Sequence, residues 1–166
     1  RIAMKSSEQY PMKGKVTVDE FVFGGKEDLK QGRSNNSKKK KIAIAVEQDE
    51  NGGVKRVYFK KISNYSSEEL TKIFESHISD SAEIKTDQWT GYKPLKKKYS
   101  ITQIKSNTTD FFALNTIVHQ VKAWLRSVYS YMNEAHIEKY LDEFSFRINR
   151  SIHKQTIFHT IINRLM

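Results

Sequence analysis

Lys15-Val16-Thr17-Val18-Asp19-Glu20-Phe21-Val22-Phe23-Gly24-Gly25 reads as a strand rich in Val and Phe that ends in a tight glycine turn and carries an aspartate near its middle. A second stretch, Ala82-Glu83-Ile84-Lys85-Thr86-Asp87-Gln88-Trp89, reads as a shorter strand with an aspartate at its C-terminal end. A carboxylate carried by an apolar strand is costly unless it is paired or holds a metal. Two of them in a chain of 166 residues and net charge +10 point to a divalent-cation site that faces a polyanion.

Outward from these two segments, the pattern predicts the remaining elements. Residues 26–41 are polar and end in four lysines, which reads as a loop. Residues 42–46 form a short apolar strand, Asp49-Glu50-Asn51-Gly52-Gly53 is a hairpin signal, and residues 54–62 return as its partner. Ser66-Ser67-Glu68-Glu69 opens a helix with the signature of a capping box, and Leu70, Ile73, Phe74 and Ile78 follow at helical spacing. After the Asp87 strand come a short helix or turn at residues 91–95 and a last strand at 101–104. Helices are expected over residues 112–129, from about 134 to 149, and from about 154 to the C-terminus.

Three hairpin-linked strands followed by helix-connected strands match a ribonuclease-H-like plan, an α/β fold with a mixed five-stranded sheet, helices on both faces and extra C-terminal helices. In that plan the first and fourth strands are neighbours, which would bring Asp19 and Asp87 together.

Composition narrows the chemistry. Cysteine is absent, so disulfides and thiolate metal sites are excluded. No apolar run is long enough to span a bilayer and no signal-peptide pattern opens the chain, so no membrane partner is expected. Phosphodiester cleavage in this architecture uses two Mg²⁺ (or Mn²⁺) ions about 3.5–4 Å apart, held by oxygen donors. Asp19 and Asp87 supply two donors, and a third is expected from the helix after the last strand. There Asn115, His119 and Lys122 are spaced by four and three and share one face. Asn115 can offer a carbonyl oxygen, and Lys122 can reach a phosphate.

Val16-Thr17-Val18-Asp19-Glu20 with Gly24-Gly25, Thr86-Asp87-Gln88-Trp89 with Gly91-Tyr92, and Tyr140-Leu141-Asp142-Glu143-Phe144-Ser145-Phe146-Arg147-Ile148-Asn149-Arg150 together resemble the catalytic domain of bacterial DDE-class insertion-sequence transposases of the ISXO2-like group. The resemblance spans most of the chain between residues 16 and 150. It implies metal-dependent DNA cleavage and strand transfer, with Asp19 and Asp87 as the first two acids and Asn115 at the third position, where many relatives carry Glu. It also implies double-stranded DNA as partner, at transposon ends and target, a homodimer or higher multimer on that DNA, and a bacterial cytoplasmic, nucleoid-associated location. Residues 1–13 resemble the tail of a preceding DNA-binding region, and residues 14–166 the catalytic domain.

Each of these residues also has a plainer reading. Asp19 and Asp87 could be satisfied by backbone donors, Asn115 could be a first-turn helix residue, and His119 a satisfied helix histidine. Asp110 is a lower-ranked substitute for the third acid. Glu20 should face away from Asp19 and find a basic partner. Lys122, His119, Arg126 and the run Lys38, Lys39, Lys40 and Lys41 are the expected DNA contacts, with a solvated face and a solvated loop as the alternatives. Asp142, Glu143, Arg147 and Arg150 suit helix ion pairs. Two other functions stay open: a ribonuclease-H-like nuclease that cuts without joining, and a DNA-binding remnant whose site has decayed at Asn115.

Overall fold

A computed structural model describes residues 2–24, 39–129 and 133–166. The strands are β1 (Lys15–Phe23), β2 (Lys40–Gln48), β3 (Val54–Ile62), β4 (Glu83–Thr86) and β5 (Ser100–Gln103). The helices are α1 (Ser67–His77), α2 (Phe112–Val128), α3 (Ile137–Asn149) and α4 (Ile157–Asn163). The sheet order is β3-β2-β1-β4-β5, with β1, β2 and β3 antiparallel and β4 and β5 parallel to β1. This is the mixed five-stranded sheet of a ribonuclease-H-like α/β fold, flanked by helices on both faces.

Period-two alternation along the strands divides the core into two layers. Val16, Val18, Ala43, Ala45 and Ile84 face α1, where Leu70, Ile73 and Phe74 cover them. Phe21, Phe23, Ile42, Ile44 and Val46 face the other way and pack against Leu114, Ile117, Val121 and Leu125 of α2 and Leu141 and Phe144 of α3. Strand β2, between β3 and β1, is buried on both faces, which explains why residues 42–46 are an unbroken apolar run.

Three expectations need correction. The lysine run does not end in a loop: Lys40 and Lys41 belong to β2 and pair with Phe23 and Val22. Lys41 is buried, with its ammonium 5.9 Å from the centre of the Tyr65 ring. Cross-strand pairing satisfies its backbone, and the long stem lets the charge sit against an aromatic face. Residues 25–38 of that stretch, Gly25 and Lys38 among them, lie outside the described residues. The capping box is only half made. Ser66 Oγ accepts from Glu69 N, but the Glu69 carboxylate turns to Ser63 N at 2.7 Å instead of the cap residue. The last expected helix also begins later, after a 3₁₀ segment at Ser151–Thr156.

Polar clamps hold the periphery. Glu47 is buried beneath Arg56, whose Nε donates to it at 2.6 Å, while Gly14 N donates at 3.0 Å. Burial pushes this carboxyl up, but Arg56 and Gly14 outweigh it and hold it below the usual range. Arg56 also donates to the carbonyls of Tyr10 and Pro11, which ties the leading segment to the sheet. On the edge strand β3, Asn149 acts as a substitute neighbour: Val57 N donates to its Oδ1 at 2.7 Å, and its Nδ2 donates to Val57 O at 3.0 Å. That amide satisfies two edge groups that would otherwise invite another strand.

Asn149→Ala removes both bonds and should cost about 1–3 kcal/mol, read as a lower urea midpoint; an unchanged midpoint would show that the clamp is dispensable. A pH series should separate two opposed slopes. His77 is stacked on Tyr58 and pushed down to about 4 by burial, helped by Lys60 and Arg56. The unfolded chain therefore takes up a proton that the native one refuses, and stability falls as pH drops from about 6.5 to 4. Asp142 is pushed up to about 6 by burial and then by Glu138, so its contribution falls as pH rises from 3.8 to 6. Asp142→Asn should therefore steepen the acid loss and raise stability at pH 7; urea unfolding at pH 4, 5, 6 and 7 reads both, and an unchanged slope contradicts the assignment.

Candidate active site

The site is built at the middle of β1 and just past the C-terminal end of β4. The two strands pair in parallel register from Lys15 opposite Glu83 to Val18 opposite Thr86. One residue further, the same register sets Asp19 opposite Asp87, on strands that in a sheet run about 4.8 Å apart. Val18 and Ile84 point into the α1 layer, so alternation turns both Asp19 and Asp87 toward α2. Asp19 Oδ1 accepts from Glu20 N at 2.8 Å, and Asp87 Oδ1 accepts from Trp89 N at 3.0 Å. Those bonds use one oxygen of each and fix its direction.

Glu20 points to the opposite face, where the fully buried Tyr92 hydroxyl donates to it at 2.5 Å. Burial pushes the Tyr92 phenol up, and Glu20, Asp19 and Asp87 push it further in the same direction. Glu20 alone touches the phenol, and the other two carboxylates act on it through space. Tyr92 is held by a turn that needs glycine before it. A Cβ at Gly91 would lie 2.6 Å from Trp89 Nε1 and 2.9 Å from Tyr65 O, the two atoms that hydrogen-bond to each other at 2.9 Å.

On α2 the buried seam is Leu114, Ile117, Val121 and Leu125. Asn115, Lys122 and Arg126 each follow a seam residue, and with Phe112 and His119 they line one flank at spacings of three and four. Asn115, His119, Arg126 and Phe112 are exposed; Lys122 is half-buried with its ammonium 5.3 Å from the Phe21 ring. Burial holds the Lys122 ammonium below its ordinary range, and Arg126 and Lys39 add to the effect, so three cations gather here. Asp110 is engaged elsewhere: Lys85 donates to it at 2.5 Å, and that bond keeps its carboxyl low. It anchors the start of α2 to β4.

Three adjoining cavities make one groove across these elements. The first, of about 390 Å³, is lined by Asp87, Trp89, Lys105 and Asn107. The second, of about 410 Å³, shares Ser106 and Asn107 with it and reaches Phe112, Asn115 and His119. The third, of about 500 Å³, shares Asn115 and His119 with the second and reaches Glu20, Phe21 and Lys122. Each end cavity therefore pairs a lysine with an acid, Lys105 with Asp87 and Lys122 with Glu20, and the middle one is lined by neutral polar groups, Phe112 and His119. Among the described residues no three His, Cys, Asp or Glu side chains gather as a metal site. The donors on offer are two carboxylates and the Asn115 amide, all hard oxygens of the kind Mg²⁺ and Mn²⁺ take, so the set fits such an ion.

The fold thus brings Asp19 and Asp87 together and puts Asn115, His119 and Lys122 on the same groove. Lys40 and Lys41 lie in β2, Lys39 beside Lys122, and Lys38 outside the described residues. The reading of the residues passed over Tyr92 as a hydroxyl donor, the 105–107 loop, and Phe112. The first had a signal, since Gly91-Tyr92 follows Asp87 by only a few residues. The Phe111-Phe112 pair gave another, because a helix start rarely buries two adjacent aromatic rings. Phe111 is indeed fully buried and Phe112 is not.

A family model described as the ISXO2-like transposase domain matches residues 11–149. No curated protein matches the chain.

Tyr92→Phe keeps the ring against Phe74 and deletes only the hydroxyl. The bond is to a carboxylate, so the variant should lose about 1–3 kcal/mol in urea unfolding at pH 7. Wild-type stability in that variant would mean that Glu20 has no need of the phenol.

Proposed function

The chain belongs to the ISXO2-like transposase family, and from that premise we propose that it cuts and joins DNA at the Asp19–Asp87 pair. The support is one geometric fact: in-register pairing of β1 with β4 sets two distant acids side by side, facing the helix that carries Asn115. Transposases are DNA-processing enzymes, and those of the DDE class use divalent metals. Asp19, Asp87 and the Asn115 carbonyl are the residues that would hold the ions. When bound, divalent cations would activate the attacking oxygen and neutralise charge on the leaving oxygen.

The remaining roles fall to the chain itself. Asp19 and Asp87 are each oriented by a backbone N–H, of Glu20 and of Trp89, before substrate arrives. Lys122, with Arg126 and Lys39 nearby, would take phosphate oxygens at one end of the groove, and Lys105 at the other. His119 lies between them and can donate to a phosphate or sugar oxygen. Hydrolysis at the end of the mobile element would break a phosphodiester and free a 3′-hydroxyl. In-line attack of that hydroxyl on target DNA, at the same acids, would join the strands. Two copies on paired ends are part of the same proposal. No helix of the described residues is long and apolar enough to cross a membrane.

Asp87→Ala and Asp19→Asn should each reduce Mn²⁺-dependent cleavage and strand transfer by a hundredfold or more, measured on duplexes that carry the element's own ends. Full activity in either variant removes that acid from the mechanism. Asn115→Glu separates a tuned site from a decayed one: loss of activity supports Asn115 as the working donor, whereas a large gain supports the remnant reading. Cleavage without joining would favour the nuclease.

A further inference from the structure

We propose that the cavity between the 106–109 loop and the first two turns of α2 is a subsite for one unstacked nucleobase, with Phe112 as its stacking wall. The proposal rests on the DNA-strand reading above and adds what that reading leaves open, namely where a base goes when its phosphate lies at the acids.

Phe112 is 74 % exposed at the first position of α2, while its neighbour Phe111 is fully buried and does the packing. An isolated exposed aromatic carries no argument by itself. Phe112, however, lines a cavity of about 410 Å³ whose other lining groups are polar: the amides of Asn107 and Asn115 and the imidazole of His119. One apolar face against amide and imidazole donors and acceptors is the arrangement that holds a base by stacking and reads its edge by hydrogen bonds.

Position favours a nucleic-acid strand as the occupant. The cavity shares Ser106 and Asn107 with the one that holds Asp87, and Asn115 and His119 with the one that holds Glu20 and Lys122. Lys122 lies ten residues along the same flank of α2, roughly 15 Å along the axis. A strand whose terminal base stacks on Phe112 therefore has the Asp87 cavity on one side and the cations Lys122, Arg126 and Lys39 on the other for its phosphates. A chain of net charge +10 complements a polyanion on this path. The base must leave its duplex to enter, so the subsite selects frayed or distorted ends over fully paired DNA.

The test compares two duplexes of one sequence, one blunt and one with three unpaired nucleotides at the 3′ end, the terminal one 5-iodouracil. Wild-type protein should bind the frayed duplex more tightly and, on irradiation, form a crosslink that peptide mapping assigns to Phe112. Phe112→Ala should lose about tenfold in affinity for the frayed duplex with little change for the blunt one, whereas Phe112→Trp should retain both. Lys122→Ala should weaken both duplexes alike. If Phe112→Ala binds both duplexes as wild type does, or the crosslink maps elsewhere, the subsite is refuted while the DNA-processing reading stands. If wild type binds neither duplex at any salt concentration, that reading fails and the subsite falls with it.

Discussion

Parallel pairing of β1 with β4 is the constraint on which the site depends. Asp19 and Asp87 are 68 residues apart in the chain, and no local preference can bring them together. A parallel pair needs a crossover, and here α1 supplies it, packed on the face that Val16, Val18 and Ile84 bury. The pairing also has to be in register. A slip of one residue would turn Asp87 toward the α1 layer and Thr86 toward the groove. The apolar alternation of both strands forbids that slip, so the same residues that build the core also aim the acids.

The second organising feature is the placement of charge. The chain is strongly basic, yet Asp19, Glu20 and Asp87 cluster where β1 runs beside the end of β4. Tyr92 makes that accumulation tolerable on the far side, since its buried hydroxyl donates to Glu20 and remains protonated. Lys105 shares the cavity of Asp87, and Lys122, with Arg126 and Lys39 nearby, stands at the other end of the groove. A cation at the centre and phosphates at the rim are both served by this arrangement. A lysine at the position of Asn115 would neutralise the centre and serve neither.

The segment Tyr140 to Arg150 shows how recognisability and chemistry can part. It carries the strongest resemblance in the sequence but lies on α3, away from the groove. The ion pair expected there is present, with Arg147 donating to Glu143 at 2.9 Å and Tyr129 adding a hydroxyl. Asn149 protects the edge strand, and Phe146 lies under the guanidinium groups of Arg150 and Arg164. These are roles in holding α3 to the sheet. Reading i to i+4 spacing was enough to expect the Glu143–Arg147 pair. Nothing local could announce that Asn149 would grip Val57, because that contact joins residues 92 positions apart.

Local patterning therefore accounts for the strands, the main helices and the two-layer core, and it singled out Asp19 and Asp87 as candidates, because period, turn residues and the cost of a buried carboxylate are written within a few residues of each position; Asn115 was singled out by helical spacing and by the family resemblance. It misplaced the end of the lysine loop and the reciprocal half of the α1 cap, where a cross-strand partner and a competing backbone donor outweighed local preference. Long-range packing alone decided that Glu20 meets Tyr92, that Asp110 is taken by Lys85, and that Phe112 is left bare above a polar cavity. The reason is physical: those outcomes depend on which surfaces meet across the sheet, and that is a property of the assembled layers, not of any one segment.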